Sequence, residues 1–295
     1  MIFTKNTFEE ACLNWFTDDV DFPFFIQYGG HDRDLYIHSH RDFNELVIVI
    51  DGSAIHIVNN EEYPVKKGDV FVIGNSTVHG YKNPNNFRIC NIMYRHNAMF
   101  AGLPDISSSA GFQALFVLEP CLAKDQSFKN RLSLKREDYR TVKMLIDKML
   151  GEYENHSECK ESFLTSLFIQ LAVTLSRIYS FDNSEKEQDI INIAKAVSYI
   201  ENNFSENIFI SELAEISHYS ERHFTRTFKK AYGVSPAAYI INLRINHACT
   251  LLKYSDMSIS ETAEKCGFDD VNYFSRLFKK QMGITPSKYK KEIQY

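Results

Sequence analysis

The chain has 295 residues, a length that suits two ordinary domains, and its 44% hydrophobic and 24% charged residues describe a globular rather than a disordered protein. A net charge of −5 is awkward for a nucleic-acid binder, so the distribution of charge matters more than its sum. The six cysteines show no C-x-x-C spacing, which speaks against a zinc cluster or redox pair and suits reduced thiols. No apolar run is expected to approach the roughly 18 residues of a membrane span, and the acidic N-terminus is unlike a signal peptide, so a cytoplasmic protein with no membrane partner is expected.

Residues 20–95 read as short strands: DLYIHSH, NELVIVIDG, SAIHIVNNEEYPV, KKGDVFVI, HGYKN and FRICNIMY. Apolar and polar residues alternate, with breaks at Asp51-Gly52, Asn59-Asn60, Lys67-Gly68-Asp69 and Asn83-Pro84-Asn85, the pattern of a small antiparallel barrel or sandwich. Within it, His38 and His40 stand two apart on one strand and so point to one face. Glu45 and His79 follow along the chain, and three imidazoles with one carboxylate, where they converge, suit Zn, Fe, Mn or Ni. The same four groups can instead hydrogen-bond a polar ligand without a metal, or serve structure alone. Arg33, Tyr36, Tyr81, Asn91 and Tyr94 lie near these motifs and suit sugar recognition; His56 can line the pocket too, though a single His on an alternating strand is more often a surface or core filler.

Residues 96–134 are less regular. From Arg136 the period becomes helical: Val142, Leu145, Ile146, Met149, Leu150 and Tyr153 form one stripe, and Leu164, Leu167, Phe168, Leu171, Leu175 and Ile178 a second, joined as a hairpin. SFDNSEKEQD (180–189) has no hydrophobic period and reads as a linker. The remainder is helical and internally repeated. Ile210, Ser211, Glu212, Ala214 and Glu215 recur 49 residues on; Phe224, Arg226, Phe228, Lys229, Lys230, Gly233, Pro236 and Tyr239 recur 50 residues on, so the second copy has a turn one residue longer. Residues 187–295 carry 14 Lys and Arg against 13 Asp and Glu, so the acidity lies in the N-terminal part.

Each copy reads as a helix–turn–helix unit, a bracing helix followed by one whose exposed face enters the major groove. Ser220 and Asp269 can cap the two reading helices, and Ser258 with Glu261 makes a capping box where the first copy has Phe209, which cannot cap. Phe224/Phe228 and Phe274/Phe278 belong on buried faces. The opposite faces offer Glu221, Arg222, Thr225 and Arg226, and Asp270, Asn272, Tyr273 and Arg276. Arginine can fork to guanine and asparagine to adenine, while Lys229, Lys230, Lys279 and Lys280 suit phosphate.

The last ~100 residues resemble the AraC/XylS family of bacterial transcription regulators, down to the connector carrying Pro236, Tyr239, Ile240, Arg244, Ala248, Leu251 and Leu252 and the block Gly267–Lys280. That resemblance implies a long helix holding two readers about one DNA turn apart, with Arg222, Thr225, Arg226, Asn272, Tyr273 and Arg276 facing bases. The series His38, His40, Glu45, Gly52, Pro64, Gly68, Asp69 and His79 resembles the two cupin motifs, whose histidines and glutamate converge and in the cupin enzymes bind a divalent metal. The segments H-S-H-R-D-F-N-E-L-V-I-V-I-D-G, Asn91–Arg95 and Gly111–Pro120 are similar to the rhamnose-operon activators of the same family.

The expectation is therefore an α+β two-domain chain. A cupin-like, effector-binding antiparallel β-barrel spans 1–135, a dimerising helical hairpin 136–180, a linker 181–190, and an all-α DNA-binding domain with tandem helix–turn–helix units 191–295. The expected function is a sugar-responsive regulator of a carbohydrate operon that requires no cofactor, with a divalent metal at His38, His40, Glu45 and His79 left open. Its expected partners are operator DNA, a small-molecule effector, a second copy of itself and, for an activator, RNA polymerase. Two rivals stand beside it: a metal-dependent cupin enzyme fused to a DNA-binding tail, and a constitutive regulator whose barrel only dimerises.

Overall fold

A computed structural model describes residues 9–19, 21–75, 77–122, 131–155, 157–181 and 188–293. The chain divides into two compact units, Met1–Ala194 and Lys195–Tyr295. Most of the segment expected as a linker, residues 182–187, lies outside the described residues.

The first unit is built on strands β1 (Glu9–Ala11), β2 (Phe24–His31), β3 (Leu35–His40), β4 (Asn44–Val58), β5 (Glu61–Lys66), β6 (Asp69–Ile73), β7 (His79–Tyr94) and β8 (Leu132–Ser133). They form one sheet in the order β1-β3-β7-β4-β6-β8, with β2 also on β7 and β5 also on β4. β1 runs parallel to β3 and the other pairs are antiparallel.

The expected closed barrel is therefore corrected to an open, mixed sheet. Closure needs the outermost strands to pair with each other. Here they are three and two residues long, and among the described residues no ladder joins them. Two breaks expected from the sequence are absent for a related reason. Asp51-Gly52 and Asn83-Pro84-Asn85 do not turn the chain; they lie inside β4 and β7, which run 15 and 16 residues and pair along most of their length. The register shifts between Val49 and Ile55 absorb the turn-forming residues as bulges. Asn59-Asn60 does turn, with φ of 48° and 70°, the two left-handed residues of a tight hairpin between β4 and β5.

Both faces of the central ladder are buried. On one, Val47, Phe71, Ile73, Tyr81, Phe87 and Ile89 make a continuous core. On the other, Phe24 and Tyr94 meet Phe168 with ring centroids 5.4 and 4.9 Å apart. Phe168 belongs to α6 (Lys160–Phe181), which packs antiparallel to α5 (Arg136–Glu154) after the short helices α1 (His96–Phe100), α2 (Pro104–Ser107), α3 (Ala110–Phe112) and α4 (Glu119–Leu122). By length and composition Lys160–Ser180 passes as a membrane-crossing helix, contrary to the expectation that no such run exists, because its apolar residues are interleaved with Ser, Thr and Gln. Leu164, Phe168, Leu171, Ala172 and Leu175 are fully buried within the unit, as in a core helix.

Among the described residues the second unit holds helices and no strand: the part of α7 (Gln188–Asn203) from Lys195 on, then α8 (Ile210–Ile216), α9 (Glu221–Tyr232), α10 (Pro236–Tyr254), α11 (Ile259–Lys265), α12 (Val271–Met282) and α13 (Pro286–Ile293). The duplication is visible in the packing. Phe224 and Phe228 sit 5.7 Å apart on α9, and Phe274 and Phe278 5.6 Å apart on α12, all fully buried. Tyr239 meets Phe228 edge-on at 5.3 Å, and its repeat mate Tyr289 meets Phe278 at 5.4 Å.

Gly52 has φ +70°, and a Cβ there would lie 2.1 Å from the Asn86 carbonyl oxygen on β7. Gly52→Ala is expected to destabilise the first unit by about 2–4 kcal/mol, through left-handed strain plus a backbone clash that cannot relax. Urea unfolding followed by circular dichroism checks this; an unchanged midpoint would count against the tight crossing of β4 and β7.

Candidate functional site

The face of the sheet that carries Glu45, Asn91 and Met93 is the one turned away from Phe24, Tyr94 and α6, because neighbours along a strand alternate sides. On that face lies a cavity of about 160 Å³, with His38, Glu45, His79, Tyr81 and Asn91 supplying polar groups and Trp15, Phe16, Leu35, Tyr36 and Ile37 apolar surface. A groove of about 520 Å³ bordered by Thr17, Asp19, Tyr153 and Lys160 is larger but more open. The chemistry converges in the smaller one.

β3 and β7 bring the histidines together, since His38 and His79 are register partners. His40 Nε2 and His79 Nε2 are 3.1 Å apart, and Glu45 Oε2 is 3.7 Å from each. His40, Glu45 and His79 are almost wholly buried, while His38 is half-buried at the cavity wall. The Tyr36 carbonyl, 3.1 Å from His38 Nδ1, can only accept, so that nitrogen carries the proton and Nε2 keeps its lone pair. His40 is held by ring stacking on Phe43 at 4.3 Å.

Loss of hydration governs protonation here. Burial pushes His40 and His56 down to about 3 and His79 well below its usual range, while desolvation raises Glu45 to about 8. Near pH 7 the cluster is neutral, and the 3.7 Å contacts are not ion pairs in the metal-free protein. Among the described residues His40 Nδ1, His79 Nδ1, Glu45 Oε2, Tyr81 Oη and Asn91 Oδ1 are buried without a hydrogen-bond partner. An unsatisfied buried polar group costs about 1–3 kcal/mol, and four of these five atoms, all but His40 Nδ1, belong to residues that line the cavity, where a polar occupant would satisfy them.

A divalent metal also fits. Two imidazole nitrogens on one tetrahedral zinc stand ~3.3 Å apart for bonds of ~2.0–2.1 Å, close to the spacing of His40 and His79. His38, His40 and His79 offer ligand atoms that all lie within 4.8 Å of one another. The outer nitrogen of His38 is bonded as a ligating imidazole requires; those of His40 and His79 lack such a partner.

Of the other residues singled out from the sequence, Tyr36, Tyr81 and Asn91 line the cavity. His56 is buried between Phe71 and Tyr81 and is not part of the wall; Arg33 is exposed, and Tyr94 packs on the opposite face. Trp15, Gln27 and His31 also line the cavity and escaped sequence reasoning. Gln27 and His31 had a readable signal, the two-residue period of β2, whereas Trp15 arrives from a separate turn, Leu13–Trp15.

In the second unit the exposed faces of α9 and α12 carry Arg222, Arg226, Lys229 and Lys230, and Asn272, Tyr273, Arg276, Lys279 and Lys280; Thr225 is half-buried beside the first set. Ser220 accepts from His223 N at the start of α9. The cap of α12 is Asp270 and not Asp269: its carboxylate accepts from Asn272 N and Tyr273 N, because the longer second turn carries the helix start one residue on. The capping box of Ser258 and Glu261 forms, and Phe209 leaves α8 without a side-chain cap. Arg226 Nη2 lies 3.4 Å from His223 Nδ1, and the Arg276 guanidinium lies 5.9 Å from the centre of the Tyr273 ring.

Comparison with known proteins matches residues 22–172 to the AraC-like ligand binding domain and residues 213–292 to a helix-turn-helix domain. The HTH-type transcriptional activator RhaS of Enterobacter sp. (strain 638) is 28% identical over 235 residues, with 80% of each chain covered. RhaR of the same organism, also an HTH-type transcriptional activator, is 27% identical over 238 residues, again with 80% of each covered. A solved AraC-type transcriptional regulator structure from Chromobacterium violaceum is 30% identical, covers 35% of this chain and 91% of its own, and has a TM-score of 0.33.

A base whose pKa is depressed by folding binds its proton more readily when unfolded, so its stabilising contribution is lost as pH falls below the unfolded value near 6.5 toward the folded value. Histidines 40, 56 and 79 all act in this sense; Glu45, raised from 4.5 to about 8, acts in the opposite one, adding stability as pH falls through the same window, so the net slope is that of three histidines less one carboxyl. The melting temperature of the metal-free protein is expected to fall from pH 7 to pH 5, and His56→Phe should flatten that slope by about one histidine's share. A melting temperature independent of pH over that window would contradict the buried neutral cluster.

Proposed function

The chain belongs to the AraC/XylS family of helix–turn–helix transcription regulators, and from that premise we propose that it is a sugar-controlled switch on a carbohydrate operon. DNA recognition by the helix–turn–helix unit rests on the family membership. The observation that carries the finer reading is the pair of matched exposed faces on α9 and α12, with α10, about 28 Å long at 1.5 Å per residue, as their connector. Arg222, Thr225 and Arg226 read one base set, Asn272, Tyr273 and Arg276 another, and Lys229, Lys230, Lys279 and Lys280 grip phosphate. The two sets differ in chemistry, so the half-operators differ in sequence.

The ligand occupies the cavity over Glu45. Among the described residues no lysine or arginine lines it, and its histidines are kept neutral by burial, so a neutral solute fits better than an anion. Unpartnered donors and acceptors on one side and Trp15 and Tyr36 on the other suit a compact sugar, hydroxyls inward and C–H face against the rings. The likeness to RhaS and RhaR makes rhamnose the first candidate. The 3.1 Å spacing of His40 and His79 supports a second reading of the same site, in which His38, His40, His79 and Glu45 hold a divalent metal that anchors the sugar oxygens as a Lewis acid. The protein acts in the cytoplasm as a homodimer, with the exposed side of α5 around Met144 available as contact surface, and meets RNA polymerase as an activator. Ligand and DNA are coupled only through the difference in ligand affinity between the two states of the protein.

Arg276→Ala should cost about 1–3 kcal/mol on the preferred operator and relax one base position, whereas Lys279→Ala should weaken all sequences alike and lower the salt slope by about one. Fluorescence anisotropy on specific and random duplexes separates these outcomes, and equal loss on both for Arg276→Ala removes it from the base readers. A monosaccharide panel run with and without Co²⁺ should yield a sugar that raises the melting temperature and changes operator affinity, recovered chemically unchanged. His79→Gln should abolish both effects and any cobalt visible band while leaving basal DNA binding intact; conversion of the sugar would instead indicate an enzyme.

A further inference from the structure

The connector α10 carries one side chain whose bonds reach outside its own helix in three directions. Arg244 donates from Nε to the Phe204 carbonyl at 2.6 Å, from Nη1 to the Gly267 carbonyl at 2.6 Å, and from Nη2 to the Glu206 carbonyl at 2.7 Å. Its guanidinium also lies 5.6 Å from the centre of the Phe268 ring. Phe204 and Glu206 belong to the turn between α7 and α8, just before the first helix–turn–helix unit; Gly267 is in the turn between α11 and α12 of the second. The planar fork of arginine fills three carbonyl positions at once, which a lysine ammonium on its flexible stem does not reproduce.

The two turns also touch directly. Gly267 has φ +81°, and a Cβ there would lie 2.2 Å from the Ser205 carbonyl oxygen, so backbone meets backbone and only glycine fits. The matching turn position of the first copy, 49 residues earlier, is His218 at φ +56°. The residue 50 positions beyond Arg244 is Gln294, so the arginine is not part of the duplicated pattern. It belongs to the join between the copies. α7 engages α8 and the start of α10 by other means, Tyr199 Oη to Glu212 and a Tyr239–Glu201 hydrogen bond.

We infer that Arg244 is a positioning residue for operator recognition: by clamping the turn of the second reader to the α7–α8 turn, it sets the relative orientation of α9 and α12 and hence the spacing between the two base sets they accept. This rests on the reading of α9 and α12 as DNA-facing. Its consequence is specific. A protein without the clamp keeps the chemistry of each reading face but tolerates operators in which the two parts are displaced.

The test uses the full chain. Selection from a random duplex pool with the wild-type protein should give a two-part motif at fixed spacing; failure of the wild type to select any motif would refute the DNA-facing reading itself, a separate outcome. Arg244→Lys, and independently Gly267→Ala, should then select both parts with blurred spacing. Their preference for the native operator over one with a single inserted base pair should fall at least fivefold, while affinity for a duplex carrying only the α9 part stays within twofold. An unchanged motif with unchanged spacing preference overturns the inference, whatever the melting temperature. Uniform loss on specific and random DNA, the mark of a residue needed only for folding, overturns it as well.

Discussion

The antiparallel pairing of β4 with β7 is the constraint on which the first unit depends. Fifteen- and sixteen-residue strands pair along most of their lengths, and Glu45 on one and His79, Tyr81 and Asn91 on the other hang from that ladder, while β3, paired to β7, brings His38 and His40. Side chains alternate, so one register decides which residues face the helices and which face the cavity. A slip of one residue would send Glu45 toward Phe168 and bring Leu46 into the site. The bulges between Val49 and Ile55 let strands so long follow one another despite turn-forming residues in their middle.

The same register explains the electrostatics. Three imidazoles and a carboxylate sit together in a water-poor place, and the cheapest state there is the uncharged one, which is why the histidines are held below and Glu45 above their usual ranges. Either occupant that suits the site completes it. A sugar would satisfy the unpaired atoms by hydrogen bonding; a metal would supply the positive charge that lets Glu45 ionise. Four of the five unpartnered polar atoms belong to residues that line the cavity, all but His40 Nδ1, and an occupant of either kind would relieve their desolvation.

In the second unit the governing interaction is repeated. An aromatic pair on each reading helix, closed by a tyrosine from the helix that follows, buries one face and leaves the other to solvent. Repetition gives two readers, but it does not set the angle between them. That falls to residues outside the repeat, Arg244 above all, and to the glycine whose missing side chain lets two turns meet.

The sequence by itself was enough for the duplicated reader, because the signals are local: helical spacing of Phe224 and Phe228, the capping box at Ser258, the 49- and 50-residue offsets. Strand alternation in the chain order puts His38 and His40 on one face, and the resemblance to the cupin motifs implies that Glu45 and His79 join them. Caps depend on a single residue of turn length, so local sequence offers Asp269 where Asp270 serves. What only the tertiary structure decided is non-local. An open sheet rather than a barrel follows from which distant strands pair and how short the outer ones are, and Trp15 at the cavity and Arg244 between the turns depend on segments distant in sequence meeting in space. Local propensity carries no term for such meetings; burial and the pairing of backbone groups settle them only once the whole chain is folded.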